Sequence, residues 1–151
     1  MDKVKVYLDN CCYNRPFDDQ TQLRISLETQ AKLYVQLLIS NEKIDLVWSY
    51  ISEYENANNP FETRKFSISK FSRKAKYYPI ESREIISKSN EIIKAGIKPA
   101  DALHLASAII GNADFFLTVD DHILKYQTNE ISIMDPIMFI THWDKEVKND
   151  D

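Results

Sequence analysis

Apolar and polar positions alternate from the start of the chain. Val4, Val6 and Leu8 stand against Lys3, Lys5 and Tyr7, a period of two that predicts a short strand ending at Asp9. A loop through Arg15, Pro16, Phe17, Asp18 and Asp19 follows, and then Leu23, Leu27, Ala31, Tyr34, Leu37 and Leu38 recur at helical spacing to about Asn41. Residues 44–48 read as a second strand, after which Ser49 leads into a short helix carrying Glu53 and Glu55 and closed by Pro60. A basic helix over about 61–76 stops ahead of Pro79, and another over about 82–95 ends at Gly96. Pro99, favoured in a first turn, opens a helix whose Ala102, Leu105, Ala106 and Ile109 form an apolar face up to Gly111. Residues 115–118 make a buried strand leading to Asp120, and residues 131–134 a last short one. Asp135 caps a final helix, with Pro136 in first position, that reaches about Lys145; the tail over 148–151 is expected to fray.

Strands alternating with helices imply an α/β fold in three layers, with a central, mostly parallel sheet covered on both faces. With 151 residues and no linker, repeat or low-complexity stretch, the chain reads as one domain over 1–147. Ligands of such sheets bind beyond the carboxyl ends of the strands, which is where Asp9 and Asp120 fall.

Composition sharpens this. Gly96 and Gly111 are the only glycines, each in a C′ position behind a predicted helix, so a glycine-rich phosphate cradle is excluded. Any phosphate chemistry needs another device, such as a metal ion. The net charge of −4 hides an uneven spread: residues 64–83 hold seven basic side chains against one acid, a local +6 that leaves −10 elsewhere. Such a strip can hold phosphates locally, because salt screens exposed charges beyond about 8 Å; it also reads as a solvated helix face. Cys11 and Cys12, side by side, suit a reducing compartment better than a disulfide. No segment has the roughly 18 apolar residues of a membrane span, and the first residues lack a signal-peptide core, so a cytoplasmic protein is expected.

Asp101 lies in the first turn of its helix amid apolar neighbours, and Glu53 and Glu55 follow the second strand. Acids from distant segments thus converge on the sheet edge that carries Asp9 and Asp120. Each alone could cap a helix or complement its dipole. Together they repel unless neutralised, and a hard divalent cation held by carboxylates is the usual solution. Such an ion can activate water against a phosphodiester. His104, His122 and His142 lack the spacing of a zinc site.

Tyr7-Leu8-Asp9-Asn10, the run from Ser49 to Glu55, Asp101-Ala102-Leu103-His104-Leu105-Ala106 and Phe116-Leu117-Thr118-Val119-Asp120 resemble the PIN-domain family in order and approximate spacing. The likeness spans about Val4 to Met134, and the Asp-Ala-Leu-His-Leu-Ala run with Thr-x-Asp is its specific part. The resemblance implies a Mg²⁺- or Mn²⁺-dependent ribonuclease, in many members the toxin of a toxin–antitoxin pair and in many a homodimer. RNA and an antitoxin protein are the partners it implies. Carried over by position, it implies Asp9, Glu55, Asp101 and Asp120 as the acidic site, with Asp9, Asp101 and Asp120 on the metal and Thr118 as a supporting hydroxyl. Asn10 stands where the family usually has Thr or Ser, its amide still able to hydrogen-bond.

Several residues keep two readings. Glu53 and Glu55 are two apart on a helix, so only one can point inward, and the spacing from Ser49 favours Glu55. Asp121 reads as an assisting acid or an exposed helix-start residue, and His104 as a neighbour of the site or a core histidine. Cys11 and Cys12 read as small packing residues. Arg15 either holds a phosphate or pairs with Asp18, and Lys70, Arg73 and Lys74 would carry the strip's RNA contacts. Two rival functions remain: a non-catalytic PIN-like interaction or RNA-binding module, and a nuclease acting on DNA. A receiver-like phosphoacceptor is disfavoured, since neither its middle-strand Asp nor its late Lys is in place.

Overall fold

The computed structural model describes residues 3–149. Along it run β1 (Lys5–Leu8), α1 (Asn10–Asn14), a 3-10 turn (Arg15–Phe17), α2 (Leu23–Ser40), β2 (Asp45–Val47), α3 (Tyr50–Ala57), α4 (Glu62–Ser72), α5 (Arg83–Lys94), α6 (Pro99–Ile110), β3 (Phe115–Leu117), α7 (Asp121–Leu124), β4 (Ser132–Met134) and α8 (Pro136–Asn149). The strands form one sheet in the order β2-β1-β3-β4, every pair parallel.

Alternate strand residues feed two separate cores. Val6, Leu8, Leu46 and Leu117 pack with Val35 and Leu38 of α2, Ile68 and Phe71 of α4 and Phe139 of α8. Tyr7, Val47 and Phe116 pack on the other side with Ile85 and Ile92 of α5 and Leu105 and Ala106 of α6. Each buried aliphatic or aromatic side chain contributes roughly 1.5–3 kcal/mol relative to exposure. Tyr7, the polar member of the sequence alternation, is fully buried, because a parallel sheet is covered on both faces.

The structure departs from the predicted elements in physically readable ways. The expected loop after Asp9 is α1 and the 3-10 turn, and α7 follows Asp120; both helices are too short for periodicity to reveal. The expected helix of about 61–76 ends at Ser72 because the chain then runs along the open edge of β2. There Lys76 N donates to Leu46 O, Trp48 N to Tyr77 O and Tyr50 N to Pro79 O, each at 3.0 Å, which covers an edge strand. α2 forms as expected, but its buried face is Glu28, Ala31, Lys32, Val35, Leu38 and Ile39, and Leu23, Leu27, Tyr34 and Leu37 face outward. α8 continues to Asn149, past the expected end near Lys145; Asp150 and Asp151 lie outside the described residues.

Gly96 has φ +103 as a C′ glycine should, but Gly111 has φ −77 and Asn112 takes the left-handed turn with φ 59. Gly111 is needed for closeness instead: a Cβ there would lie 2.7 Å from Pro79 Cγ. None of the described helices is long and apolar enough to cross a membrane.

Candidate active site

β1 and β3 end side by side, and Asp9 N donates to Leu117 O at 2.9 Å, which sets Asp9 against the turn from Thr118 to Asp120. Asp9 is only 4% exposed, and its carboxylate is engaged on both oxygens. Oδ1 accepts from Asn10 N at 2.8 Å, capping α1, and Oδ2 accepts from the Thr118 hydroxyl at 2.9 Å and the Cys11 thiol at 3.3 Å. Thr118 Oγ1 also accepts from Asp120 N at 3.1 Å, so one hydroxyl ties the two acids together. Asp120 Oδ1 in turn caps α7 by accepting from His122 N at 2.8 Å. Asn10 meets Asp9 through its backbone N–H, while its side-chain oxygen accepts from Asn14 at 3.2 Å. Cys12 is buried as a packing residue, but Cys11 is partly exposed and bound to Asp9.

Asp101 stands half-buried in the first turn of α6. Its carboxylate has no hydrogen-bond partner among the described residues. Burial, with the charges of Asp9 and Asp120, holds its carboxyl above the usual carboxylate range, while His104 pulls it partly back. Asp101 is therefore the member of the cluster with least compensation.

Ser49 caps α3, accepting from Ser52 N at 3.2 Å, and the helix sends its two glutamates apart. Glu53 accepts from Trp48 Nε1 at 2.8 Å and from the Tyr78 hydroxyl at 3.3 Å. Glu55 turns to α6, where its carboxylate is hydrogen-bonded to His104 Nε2. His104 is buried, and its Nδ1 is 2.6 Å from the Tyr7 hydroxyl, which also meets Ser49 Oγ at 2.6 Å and Ser52 Oγ at 3.0 Å. Burial alone would lower the proton affinity of His104; its bond to Glu55 and the charges of Asp9 and Asp101 outweigh that and raise it. Tyr7, Ser49 and Ser52 escaped the sequence reading as a group. The available signal was a polar-tipped ring in a strand buried on both faces, opposite two serines one helical turn apart.

The remaining expected residues are placed elsewhere. Asp121 is exposed and held by both terminal nitrogens of Arg24, at 2.7 and 3.0 Å, which lowers its proton affinity. Arg15 is ion-paired with Asp18 at 3.2 Å and with buried Glu28 at 3.3 Å. At the start of α4, Arg64 donates to Phe17 O at 3.1 Å. Beyond its end, Lys74 donates to Ser40 at 2.8 Å and Lys76 pairs with Glu42 at 3.5 Å, both partners preceding β2. α4 thus runs away from the acidic edge, and the structure does not bring Lys70, Arg73 and Lys74 to the acids.

No group of three His, Cys, Asp or Glu side chains among the described residues is already arranged to hold a metal ion. The donor chemistry nevertheless fits a hard divalent cation. Asp9, Asp101 and Asp120 offer oxygen only, Asp9 Oδ1 accepts a single hydrogen bond and so keeps a lone pair, and Asp101, without a hydrogen-bond partner among the described residues, is raised by burial and by Asp9 and Asp120.

No protein-family model and no curated protein matches the sequence. Among solved structures, the chain is similar to that of VapBC2 from Rickettsia felis bound to a DNA fragment from their promoter. The TM-score is 0.55 and the identity 16%, over 87% of this chain and 98% of that one. At that identity the likeness is one of fold. The three-layer, PIN-like α/β architecture expected from the motifs is thus the fold this chain has.

Proposed function

We propose that this protein is a Mg²⁺- or Mn²⁺-dependent endoribonuclease working at the carboxyl edge of the sheet, as the toxin of a toxin–antitoxin pair. The observation that carries the reading is Asp101: a half-buried carboxylate without a partner among the described residues, its proton affinity raised by burial, Asp9 and Asp120. Asp9, Asp101 and Asp120 would hold the ion, which when bound supplies neutralising charge and an activated water. Thr118 and the Asn10 N–H fix the Asp9 carboxylate, and Thr118 also fixes the backbone of Asp120. Glu55 is the acid set to take up a proton or orient the attacking water; Glu53 and Asp121 are engaged elsewhere, by Trp48 with Tyr78 and by Arg24.

Arg15 and the strip of Lys70, Arg73 and Lys74 are the proposed RNA contacts. The strip would be reached by RNA that follows α4 away from the acids. A protein partner, as antitoxin or second copy, is supported by the outward apolar stripe of Leu23, Leu27, Tyr34 and Leu37 on α2. The motif resemblance and the fold shared with VapBC2 support the toxin–antitoxin setting.

A second reading, a non-catalytic binding module, is favoured by the lack of a ready-made three-ligand group among the described residues. Incubating labelled single-stranded RNA and DNA with the wild type, with Mn²⁺ or with chelator, separates the readings. Mn²⁺-dependent internal cleavage of RNA is expected. Cleavage of DNA alone would shift the substrate, and no cleavage of either would favour the binding module.

A further inference from the structure

Behind Glu55 lies a buried hydrogen-bond chain that a bare cluster of carboxylates does not require. It starts at Ser49 and Ser52, passes through the Tyr7 hydroxyl to His104 Nδ1, and leaves His104 Nε2 for the Glu55 carboxylate. An ionised carboxylate only accepts, so Nε2 carries a proton. In the neutral ring Nδ1 then accepts from the Tyr7 hydroxyl, whose oxygen accepts from a serine. In the charged ring Nδ1–H donates to Tyr7, which turns its own proton to a serine. The chain stays satisfied in both states without heavy-atom movement. Packing fixes it too, since the Tyr7 and His104 rings meet edge-on with centroids 5.8 Å apart and Tyr7 stacks on Phe116 at 5.3 Å.

Glu55 is the chain's only outlet toward solvent, 25% exposed against 1% for His104. A glutamate on an exposed helix face otherwise samples many rotamers, and catalysis suffers when a reacting group is misplaced by an ångström. We infer that Tyr7 and His104 are positioning residues that fix the Glu55 carboxylate at the acidic crevice, so that strand β1 sets the aim of a group carried by α3. The inference rests on the reading of Glu55 as a working acid of a nuclease. A core histidine that merely fills space would not need one ring nitrogen on a site carboxylate and the other on a three-way hydroxyl.

The test combines kinetics with a readout independent of cleavage. Glu55→Gln and His104→Phe should each lower kcat for RNA by roughly 10- to 100-fold with KM little changed. The double variant should be no slower than Glu55→Gln alone. His104→Gln, which can still donate to Glu55 and accept from Tyr7, should recover most of the loss, and Tyr7→Phe should fall between. Multiplying losses, or a His104→Gln no better than His104→Phe, would overturn the proposal. In parallel, ¹⁵N resonances of the His104 ring, recorded where the ring is neutral, should show a protonated Nε2 that shifts in Glu55→Gln and an Nδ1 that shifts in Tyr7→Phe. Resonances unmoved by either change would overturn the chain even if RNA is cut. Should the wild type cut no RNA, the nuclease reading fails, the positioning role with it, while the ring shifts still report whether the chain exists.

Discussion

Lys32 lies on the buried face of α2, with no carboxylate paired to it among the described residues. Its ammonium donates to Gln36 Oε1 at 2.6 Å and sits over the rings of Tyr13 and Phe71, and burial pushes its pKa down to about 8. The same amine in the unfolded chain titrates near about 10.4. Below about pH 8 both states hold the proton, and the full penalty of a buried charge is present. Between about 8 and 10.4 the unfolded state binds more protons, so stability rises with pH, by an amount on the order of 3 kcal/mol in all. Denaturant unfolding of the wild type should therefore show a gain between about pH 7.5 and 9.5 that Lys32→Met lacks, and the variant should be more stable at neutral pH. A flat wild-type profile would contradict this. Asp101 gives a second expectation at this scale. Asp101→Asn removes charge without breaking a hydrogen bond among the described residues, so the metal-free variant should melt at or above the wild type. Millimolar Mn²⁺ should raise the wild-type Tm, by about 2.7 kcal/mol of stability at 100-fold excess over Kd, and leave the variant unmoved. Equal shifts in both would remove Asp101 from the metal site. Asp9 and Asp120 were legible as acids beyond strand ends, and Asp101 as one in a first helical turn. Which glutamate turns to α6 rested on spacing alone; the structure shows Trp48 Nε1 and Tyr78 holding Glu53 on the other side, and no periodicity encodes that contact.

α1 and α7 show why the site was only partly readable from the chain. They have five and four residues, too few for a repeat to register, yet both are capped by acids of the cluster, Asp9 and Asp120. Each of these acids has a capping role as well as its proposed role in binding a cation. α4 was legible as a basic helix, but its direction across the sheet was not, since only tertiary contacts at Phe17 and Ser40 define it. That direction separates affinity from chemistry. Replacing Lys70, Arg73 and Lys74 by Ala should flatten the salt dependence of RNA binding, by about 0.7 in log–log slope for each phosphate that the strip no longer neutralises, and leave kcat alone. An unchanged slope would make α4 an ordinary solvated face.

At the scale of the whole molecule, the order of strands and helices carried the three-layer fold, because alternating elements leave few ways to bury both faces of a parallel sheet. The same burial hid Tyr7, which the period of two presented as polar and the second core takes in whole. The outward stripe on α2 was hidden for a related reason: apolar residues repeat on two of its faces, and sequence spacing does not say which one the sheet claims. On the proposed function, the acids gathered at the carboxyl edge would hold a cation that supports cleavage of RNA. Cleavage of a labelled single-stranded RNA by the wild type and by Asp101→Asn, at matched purity with Mn²⁺ present or chelated, tests it most directly. Mn²⁺-dependent cleavage is expected of the wild type, and none of a variant that is folded and at least as stable. Equal cleavage by both proteins, or none by the wild type with either Mg²⁺ or Mn²⁺ across several RNAs, would contradict it.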